Sequence, residues 1–434
     1  MCVITHNANV KFLYALAHNS ILTLNNKGAS MLKSVNMSHL SAGFTAVLIG
    51  YASAAIIVIQ AATVLGATET QVESWLLTLG LIMGLSSIGL SWWFKTPILT
   101  AWSTPSAALL VGVGAQYDMH IAIGAFMLVG IATILTGFIK PLCKAVENIP
   151  SSLASAMLAA ILLPFCLSSF QVAEVEPSYF ALLFCSFCFA KLWLPKFAML
   201  VLLGVSLFLA FFTGAFAQTE FSLSFSAFEF MLPAFDAASL TIMLNLAIPL
   251  YLVTMLSQNL PGITLLQTYG YKAPIKPALM TTGALNFLTA PFGGFSLNLA
   301  AISAAVCMNE DVDSSKSQRY KAAIYAGVFY LIAGLCASSV VALFLALPKS
   351  ITTILAGFAL LGTLLLCLQN AFSEPKSRDA ALFTLLISFS GVSLFGINSI
   401  MLGLIVGLIY LQLQKKRLKP KLSADNPIPD KRCL

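Results

Sequence analysis

Residues 291–308 read Pro-Phe-Gly-Gly-Phe-Ser-Leu-Asn-Leu-Ala-Ala-Ile-Ser-Ala-Ala-Val-Cys-Met, which is apolar enough for lipid but opens with two glycines, a serine and an asparagine. Ser296 is a good N-cap, and Leu297 to Met308 contains no helix breaker. Those twelve residues span only about 18 Å as a helix, little more than half of a hydrocarbon core of about 30 Å. The stretch therefore predicts a broken membrane span whose helix starts at Ser296, near the middle of the bilayer.

A second stretch of the same kind lies upstream, at residues 96–105, which read Thr-Pro-Ile-Leu-Thr-Ala-Trp-Ser-Thr-Pro. Thr104 followed by Pro105 predicts an N-cap with proline at the first helical position, and a short helix that runs to Gly114. The N-terminus of a helix offers unpaired N–H groups and a partial positive charge. Paired broken helices at corresponding places in two halves of a chain indicate the substrate site of a transporter.

Composition excludes a soluble globular protein. Of the 434 residues, 59% are hydrophobic and 9% are charged, against about 25% charged in soluble domains. A membrane-embedded enzyme would need clustered His, Asp or Glu inside its spans, and the chain has four histidines, three of them before residue 40. We therefore expect a polytopic membrane protein that is not an enzyme and holds no metal or cofactor.

Apolar runs long enough to cross, or half cross, a bilayer recur along the whole chain. We expect fourteen of them, at residues 40–64, 74–94, 97–114, 119–139, 150–169, 178–194, 196–217, 237–258, 276–291, 294–308, 319–346, 350–370, 379–394 and 396–413. The predicted fold is all-α, and its third and tenth spans are half-helices preceded by short extended segments.

The basic residues predict the orientation. With the N-terminus in the cytoplasm and fourteen alternating spans, 22 of the 23 Lys and Arg residues fall on the cytoplasmic side, and only Lys349 does not. Both termini are then expected in the cytoplasm. The basic tail that begins at Lys415 indicates an anchor at lipid headgroups rather than a nucleic-acid site.

The second half of the chain repeats the order of features of the first. Gln60 precedes Pro150 by ninety residues, and Gln258 precedes Pro348 by the same interval. One broken element lies between Gln60 and Pro150, and the other lies between Gln258 and Pro348. Because each repeat holds an odd number of spans, seven, the two copies are expected in opposite orientations across the bilayer, as inverted repeats.

Four strings resemble the benzoate:proton symporter family of bacterial inner membranes, and the resemblance covers roughly residues 38–412. They are Leu-Ser-Ala-Gly-Phe-Thr-Ala-Val-Leu-Ile-Gly-Tyr at 40–51, the 96–105 stretch above, Ser-Gln-Asn-Leu-Pro-Gly at 257–262, and Ala-Pro-Phe-Gly-Gly-Phe-Ser-Leu-Asn-Leu-Ala-Ala-Ile at 290–302. The resemblance implies the fold of uracil-type nucleobase transporters and sulfate-type anion exchangers, with 7+7 inverted repeats. It also implies a core domain that carries the site and a gate domain that moves against it.

The composition changes at Pro150, after which the helices are rich in Leu and Phe and contain fewer glycines, and it changes again at Pro348. These two changes agree with a division into a core domain and a gate domain. We expect an N-terminal extension at 1–37, the core of the first repeat (spans 1–4) at 38–145, and its gate (spans 5–7) at 146–217. An external linker is expected at 218–236, the core of the second repeat (spans 8–11) at 237–347, its gate (spans 12–14) at 348–413, and the cytoplasmic tail at 414–434.

No Asp, Glu, Lys or Arg lies well inside a predicted span, so a carboxylate must be held by dipoles. Two helix ends and one or two charge-assisted hydrogen bonds supply on the order of 5–10 kcal/mol before entropy and desolvation costs. The candidates are polar side chains at the half-helix mouths and on spans 1 and 8, with an aromatic pair to flank a ring. They are Ser296, Leu297, Asn298, Ser103, Thr104, Gln258, Asn259, Gln60, Tyr51 and Trp102.

Several of these residues have an alternative structural interpretation. Thr104 and Ser296 would be N-caps whatever the function, Gln258 and Asn259 could pin unwound backbone, and the aromatic pair could serve packing. Gly403 and Gly407 form a GxxxG pattern on the last span, which serves either a homodimer or the internal packing of the gate.

The expected function is import of a small aromatic carboxylate such as benzoate. Proton symport is implied by the resemblance alone. The nucleobase relatives carry an acidic residue on span 8, where this chain offers Asn245, Gln258 and Asn259, so we expect the proton to travel on the substrate carboxylate. Transport of another small anion or of a nucleobase-like ring, and an anion channel, are the alternatives.

Overall fold

The computed structural model describes residues 36–139, 141, 149–214, 226–234, 237–394 and 397–424. Most of the predicted N-terminal extension, the boundary at 145–146, much of the external linker and the end of the basic tail lie outside the described residues.

The described residues form sixteen α-helices and two short strands. In the first half these are α1 (Met37–Val64), α2 (Glu69–Phe94), β1 (Thr100–Trp102), α3 (Thr104–Val113), α4 (Met119–Phe138), α5 (Ser151–Val175), α6 (Pro177–Trp193) and α7 (Ala198–Phe212). In the second half they are α8 (Ala237–Thr254), α9 (Leu260–Thr268), α10 (Ile275–Thr289), β2 (Leu297–Leu299), α11 (Ile302–Met308), α12 (Tyr320–Leu335), α13 (Ala337–Leu345), α14 (Lys349–Ala371), α15 (Arg378–Phe389) and α16 (Ser399–Ala424).

Seven helical segments in the described residues are long and apolar enough to cross a membrane. The count rises to eight if α12 and α13, which meet at 65°, form one bent span. A π turn at Met255–Asn259 joins α8 to α9, so residues 239–268 make one continuous segment of 30 residues. The chain is therefore a multi-pass membrane protein.

Glycines let the long helices pack closely. A Cβ added to Gly80 on α2 would lie 2.5 Å from the Cα of Gly334 on α12, and one added to Gly283 on α10 would lie 2.8 Å from the carbonyl oxygen of Gly130 on α4. Small residues at such crossings bring two backbones together, which is how helices gain packing energy in lipid. α2 is the most deeply buried of the candidate spans, which agrees with its close contacts at small residues.

The two broken elements meet as an antiparallel two-stranded sheet. Thr100 pairs with Leu299, Ala101 with Asn298, and Trp102 with Leu297. Extended backbone cannot satisfy its own N–H and C=O groups, and in a membrane those groups need partners inside the protein. Each broken element therefore satisfies the backbone of the other, and neither segment runs unbroken as a helix.

The predicted starts of both half-helices are wrong, the first by one residue and the second by five. The second helix begins at Ile302 and not after Ser296, because residues 297–299 pair with β1. It is only seven residues long, about 10 Å. The first half-helix is capped by Ser103, whose Oγ accepts a hydrogen bond from the Ser106 N–H at 3.1 Å, so Thr104 is its first residue and not its cap.

The helices that follow Pro150 and Pro348 pack together. α5 begins directly after Pro150, α14 begins directly after Pro348, and the two lie side by side. On α16, a Cβ added to Gly403 would lie 2.7 Å from the Thr384 carbonyl oxygen on α15. The GxxxG pattern of the last span is thus used for internal packing in the structure.

Candidate substrate site at the paired strands

The N-terminus of α3 begins directly at the sheet. The Ser103 N–H donates to the carbonyl oxygen of Ser296 at 3.1 Å, while the Ser103 side chain caps α3. Ser103 is fully buried and Thr104 is half-buried. α3 is ten residues long and begins two residues after β1. The positive end of its dipole therefore lies beside the strands, in the protein interior.

Ser296 and Asn298 each bury a polar atom that no protein group satisfies. Asn298 is fully buried, and its Nδ2 donates to the Ser296 carbonyl oxygen at 3.0 Å, which fixes the orientation of the amide. The Asn298 Oδ1 and the Ser296 Oγ have no hydrogen-bond partner among the described residues. An unsatisfied buried polar group costs about 1–3 kcal/mol, so these two atoms mark the sheet as a place to bind something polar. Leu297, between them, is also buried.

The backbone on the entry side of β2 is held in unusual conformations. Ser296 has φ 44°, in the left-handed region that residues with a side chain rarely adopt. Gly293 has φ 94°, and a Cβ at that position would overlap the Trp75 ring. Such strain persists only where the surroundings enforce it, and it concentrates at functional sites.

Asn259 holds the second strand. Its Oδ1 accepts the Leu299 N–H at 3.0 Å, and its Nδ2 contacts the Met255 sulfur at 3.3 Å. Both polar groups of the Asn259 side chain are therefore engaged with the protein. This agrees with the alternative interpretation, in which Asn259 holds backbone in place, but the backbone that it holds is β2. Gln258 is half-buried in the π turn. A Cβ on Gly262 would lie 2.8 Å from the Leu299 Cβ, so the glycine lets α9 approach the strand.

An aromatic pair lies beside β1. The rings of Tyr51 and Trp102 meet edge to face, with centroids 4.8 Å apart, and the Tyr330 centroid lies 6.2 Å from that of Tyr51. The Tyr51 hydroxyl is buried and has no partner among the described residues. Gln60 is half-buried and lies nine residues further along α1, about 14 Å away, so the structure does not bring it together with Tyr51.

Hydroxyls on α2 support both broken elements, and the sequence reasoning missed them. Thr100 Oγ1 contacts Ser86 Oγ at 2.7 Å and Ser87 Oγ at 2.9 Å, while Ser91 Oγ donates to the Ile98 carbonyl oxygen at 2.8 Å. Toward the other end of α2, Ser74 and Thr78 both donate to the Phe292 carbonyl oxygen at 3.0 Å. The signal was present as Ser and Thr pairs four residues apart, 74 with 78 and 87 with 91, which share one helix face.

Charge is absent from the buried part of the site. Within the part of the chain that the structure describes, the buried residues include no Asp, Glu or Lys. The buried His39 lies at the start of α1, and the buried Arg319 lies directly before α12. A cavity of about 270 Å³ opens elsewhere, beside the π turn. It is lined by Met255, Leu260, Ile263, Thr264, Gln267, Ile275 and Leu279, none of them a predicted site residue.

Comparison with known proteins identifies the family. The family model for "Benzoate membrane transport protein" matches residues 33–413. The chain is 40% identical over 368 residues to the inner membrane protein YdcO of Escherichia coli K12, which covers 85% of this chain and 93% of YdcO. It is 35% identical over 390 residues to the benzoate membrane transport protein of Acinetobacter baylyi, which covers 89% of this chain and 97% of that protein.

Solved structures share the fold. SLC26A9 superposes with a TM-score of 0.58 at 15% identity, over 86% of this chain and 65% of SLC26A9, so the chain spans somewhat less than two thirds of that protein. The transmembrane domain of the cyanobacterial bicarbonate transporter BicA superposes with a TM-score of 0.57 at 19% identity, over 86% of this chain and 96% of that domain. With a family model matched over most of its length, the chain belongs to the benzoate membrane transport family.

Proposed function

We propose that the chain is a secondary active transporter that imports a small aromatic carboxylate such as benzoate across a bacterial inner membrane. The family and the name of the Acinetobacter baylyi relative support the cargo class. The observation that carries the proposal is two unpartnered buried hydroxyls, Ser296 Oγ and Tyr51 OH. Ser296 is bonded through its carbonyl oxygen to Ser103, the cap of α3, and the Tyr51 ring packs on Trp102, which precedes that cap. Both hydroxyls can donate to a carboxylate where no basic side chain is buried.

The proposed site combines a helix end, hydroxyl donors and a ring platform. The end of α3 contributes up to about 2 kcal/mol, and two hydrogen bonds to a charged group contribute roughly 1.5–3 kcal/mol each. α11 is too short to add a comparable dipole, so the gross polar term is roughly 5–8 kcal/mol before entropy is subtracted. Tyr51 and Trp102, whose rings contact each other, together form one aromatic surface for the substrate ring. The residues at the carboxylate end are Asn298, Leu297, Ser103 and Thr104. Asn259 positions β2, and Gln258 and Gln60 lie further out.

Transport proceeds by movement of a core (38–145 and 237–347) against a gate (146–217 and 348–413). The fourteen-span, 7+7 inverted-repeat topology has two lines of support. β1 and β2 pair in antiparallel fashion, as related strands of oppositely oriented repeats would, and the helices after Pro150 and Pro348 pack against each other. Both termini are cytoplasmic, the linker at 218–236 is external, and the protein needs no bound cofactor.

The anion binds first, through the hydroxyl donors and the end of α3, and the proton then joins the bound carboxylate. Asn298 Oδ1 supports this route, because it is an acceptor and a deprotonated carboxylate has nothing to donate to it. A protonated acid would satisfy that atom while accepting from a hydroxyl. Uptake that is insensitive to an uncoupler and leaves an imposed pH gradient unaltered would rule out symport.

A different small anion is the second candidate, because no buried charge in the site fixes the sign of the cargo. The test is uptake of radiolabelled benzoate into proteoliposomes, with uracil, sulfate and alkyl acids as competitors. We expect saturable uptake that is driven by an inward proton gradient and inhibited by aromatic acids. If sulfate or uracil were the strongest competitor, the assigned substrate would be that compound and not benzoate. An ohmic current in a planar bilayer would indicate a channel.

A further inference from the structure

A proline inside α8 leaves one backbone carbonyl group without its usual partner. Pro249 lies within α8 and has no N–H. The carbonyl oxygen of Asn245, four residues earlier, therefore loses the helical hydrogen bond that it would otherwise accept. Because the bilayer core offers no water to take the place of that donor, another group of the protein has to supply one.

The donor comes from a residue far along the chain. Asn398 lies directly before α16, and its Nδ2 donates to the Asn245 carbonyl oxygen at 2.9 Å, across 153 residues of sequence. The Asn398 Oδ1 accepts the Met401 N–H at 3.0 Å, so the same side chain is the N-cap of α16. Both ends of the amide are therefore used, one for α16 and the other for the carbonyl group that Pro249 frees in α8.

This hydrogen bond crosses the proposed boundary between the core and the gate. Asn245 belongs to the core segment 237–347, whereas Asn398 belongs to the gate segment 348–413. Asn398 also forms a side-chain hydrogen bond with Tyr117, which precedes α4 in the core segment of the first repeat. A movement of the core against the gate would separate these groups and leave the Asn245 carbonyl oxygen without the Asn398 donor.

We propose that Asn398 is a positioning residue that latches the gate to the core in the conformation of the structure. Pro249 is the reason that the latch has an effect on the conformation. With an N–H at position 249, the Asn245 carbonyl oxygen would have a donor inside α8 whether or not the gate had moved. The proposal rests on the proposed movement of the core against the gate, but not on the cargo.

The first test variant is Asn398→Ser, because serine keeps an N-cap acceptor for α16 and removes the amide donor to α8. The distance between core and gate is measured by pulsed electron paramagnetic resonance in the full-length chain, without substrate. The spin labels are attached to p-acetylphenylalanine in place of Thr70 on α2 and Glu174 on α5, which are both exposed. We expect Asn398→Ser to raise the ratio of a second core–gate distance to the latched one by about fivefold or more.

A second variant separates a latch from a contact that only stabilises the fold. Pro249→Ala supplies a donor to Asn245 inside α8, so it should shift the distance populations in the same direction as Asn398→Ser. We expect Asn398→Ser alone to lower the melting temperature by about 2 °C or more. The double variant should regain part of that loss, because the Asn245 carbonyl oxygen has a donor again, while its distance populations stay shifted.

The matched control is Pro164→Ala. Pro164 also lies inside a helix, α5, but the carbonyl group that it frees belongs to another residue, so Pro164→Ala should not recover the melting temperature of Asn398→Ser.

Equal distance populations in the wild type and in Asn398→Ser would overturn the proposal, whether one distance or two are observed. A recovery that is absent with Pro249→Ala, or equal with Pro164→Ala, would also overturn it. If Pro249→Ala does not fold, the distance populations of Asn398→Ser decide alone. Failure of benzoate uptake would remove the proposed cargo and leave these results unaffected.

Discussion

Ser296 and Asn298 determine what the paired strands can offer a substrate. One buried hydroxyl and one buried amide oxygen without protein partners lie two residues apart in the chain, next to the N-terminus of a ten-residue helix. The sequence placed both residues at the mouth of a half-helix, but it assigned Ser296 to a cap. A left-handed backbone at a serine has no sequence signal, because that conformation is imposed by tertiary pairing.

We expect Asn298→Leu to abolish uptake without lowering expression in the membrane. The change removes the Asn298 Oδ1 and the Nδ2 donor to the Ser296 carbonyl oxygen, which then keeps only the Ser103 N–H. Two such losses at about 1–3 kcal/mol each reduce uptake by roughly a hundredfold or more. Uptake should be measured per folded molecule in proteoliposomes.

The matched control is Asn286→Leu. Asn286 is also buried, also donates to a backbone carbonyl oxygen, at 3.0 Å from Phe126, and also has an unpartnered Oδ1. It lies on α10 and its amide bonds to α4 rather than to the strands, so its loss should cost stability but preserve uptake per folded molecule. Equal uptake by both variants would remove Asn298 from the site.

Tyr51→Phe should weaken substrate binding while it leaves the protein as stable as before, or more stable. The Tyr51 hydroxyl is buried without a partner, so its removal relieves a cost in the empty protein and deletes a donor to the carboxylate. We expect the apparent KM for benzoate to rise about tenfold and the melting temperature to stay constant or rise. An unchanged KM would show that the hydroxyl does not contact substrate.

At the scale of elements, the molecule depends on α2 and on the pairing of β1 with β2. The sequence predicted a broken element in each half from N-cap, proline and glycine signals, and both are present. It did not predict that the two extended segments would pair, because the partners are about two hundred residues apart in sequence. No role was predicted for the Ser and Thr pairs of α2, although they satisfy the backbone beside the strands.

Gly293→Ala should destabilise the second broken element. The backbone at 293 has φ 94°, and an added Cβ would overlap the Trp75 ring, so the variant combines a left-handed penalty of about 1–2 kcal/mol with a steric clash. We expect a melting temperature lower by about 5 °C or more, or loss of folded protein.

Gly89→Ala is the comparison for this variant, since Gly89 lies within α2 with open space where its Cβ would be. Alanine is the better helix residue by roughly 0.5–1 kcal/mol, so this variant should be neutral or slightly stabilised. A similar loss for both variants would show that the backbone at 293 is not specially constrained.

At the scale of the whole molecule, composition alone excluded a soluble protein, and the periodic apolar runs located the helices. Among the described residues, seven or eight helices are long and apolar enough to cross a membrane. The other helices are broken, short or bent. The resemblance supplied what periodicity could not, namely the family, which the match over residues 33–413 confirms. The fourteen-span topology, the orientation and the proton coupling stay predictions.

We expect uptake to depend on the direction of the proton gradient. An inward gradient should drive accumulation of benzoate above equilibrium, and an uncoupler should abolish accumulation but leave exchange of labelled for unlabelled benzoate intact. Those two measurements separate coupled transport from passive flux. Accumulation that persists with the uncoupler would contradict proton symport.

The most direct measurement is a crystal structure with bound 4-iodobenzoate, because the anomalous signal of iodine locates the ring without interpretation of weak density. Binding at the paired strands predicts an iodine peak beside Tyr51 and Trp102, with the carboxylate within hydrogen-bond distance of Ser296 Oγ. A single iodine peak in the cavity lined by Met255, Ile263 and Leu279, with none at the strands, would contradict it.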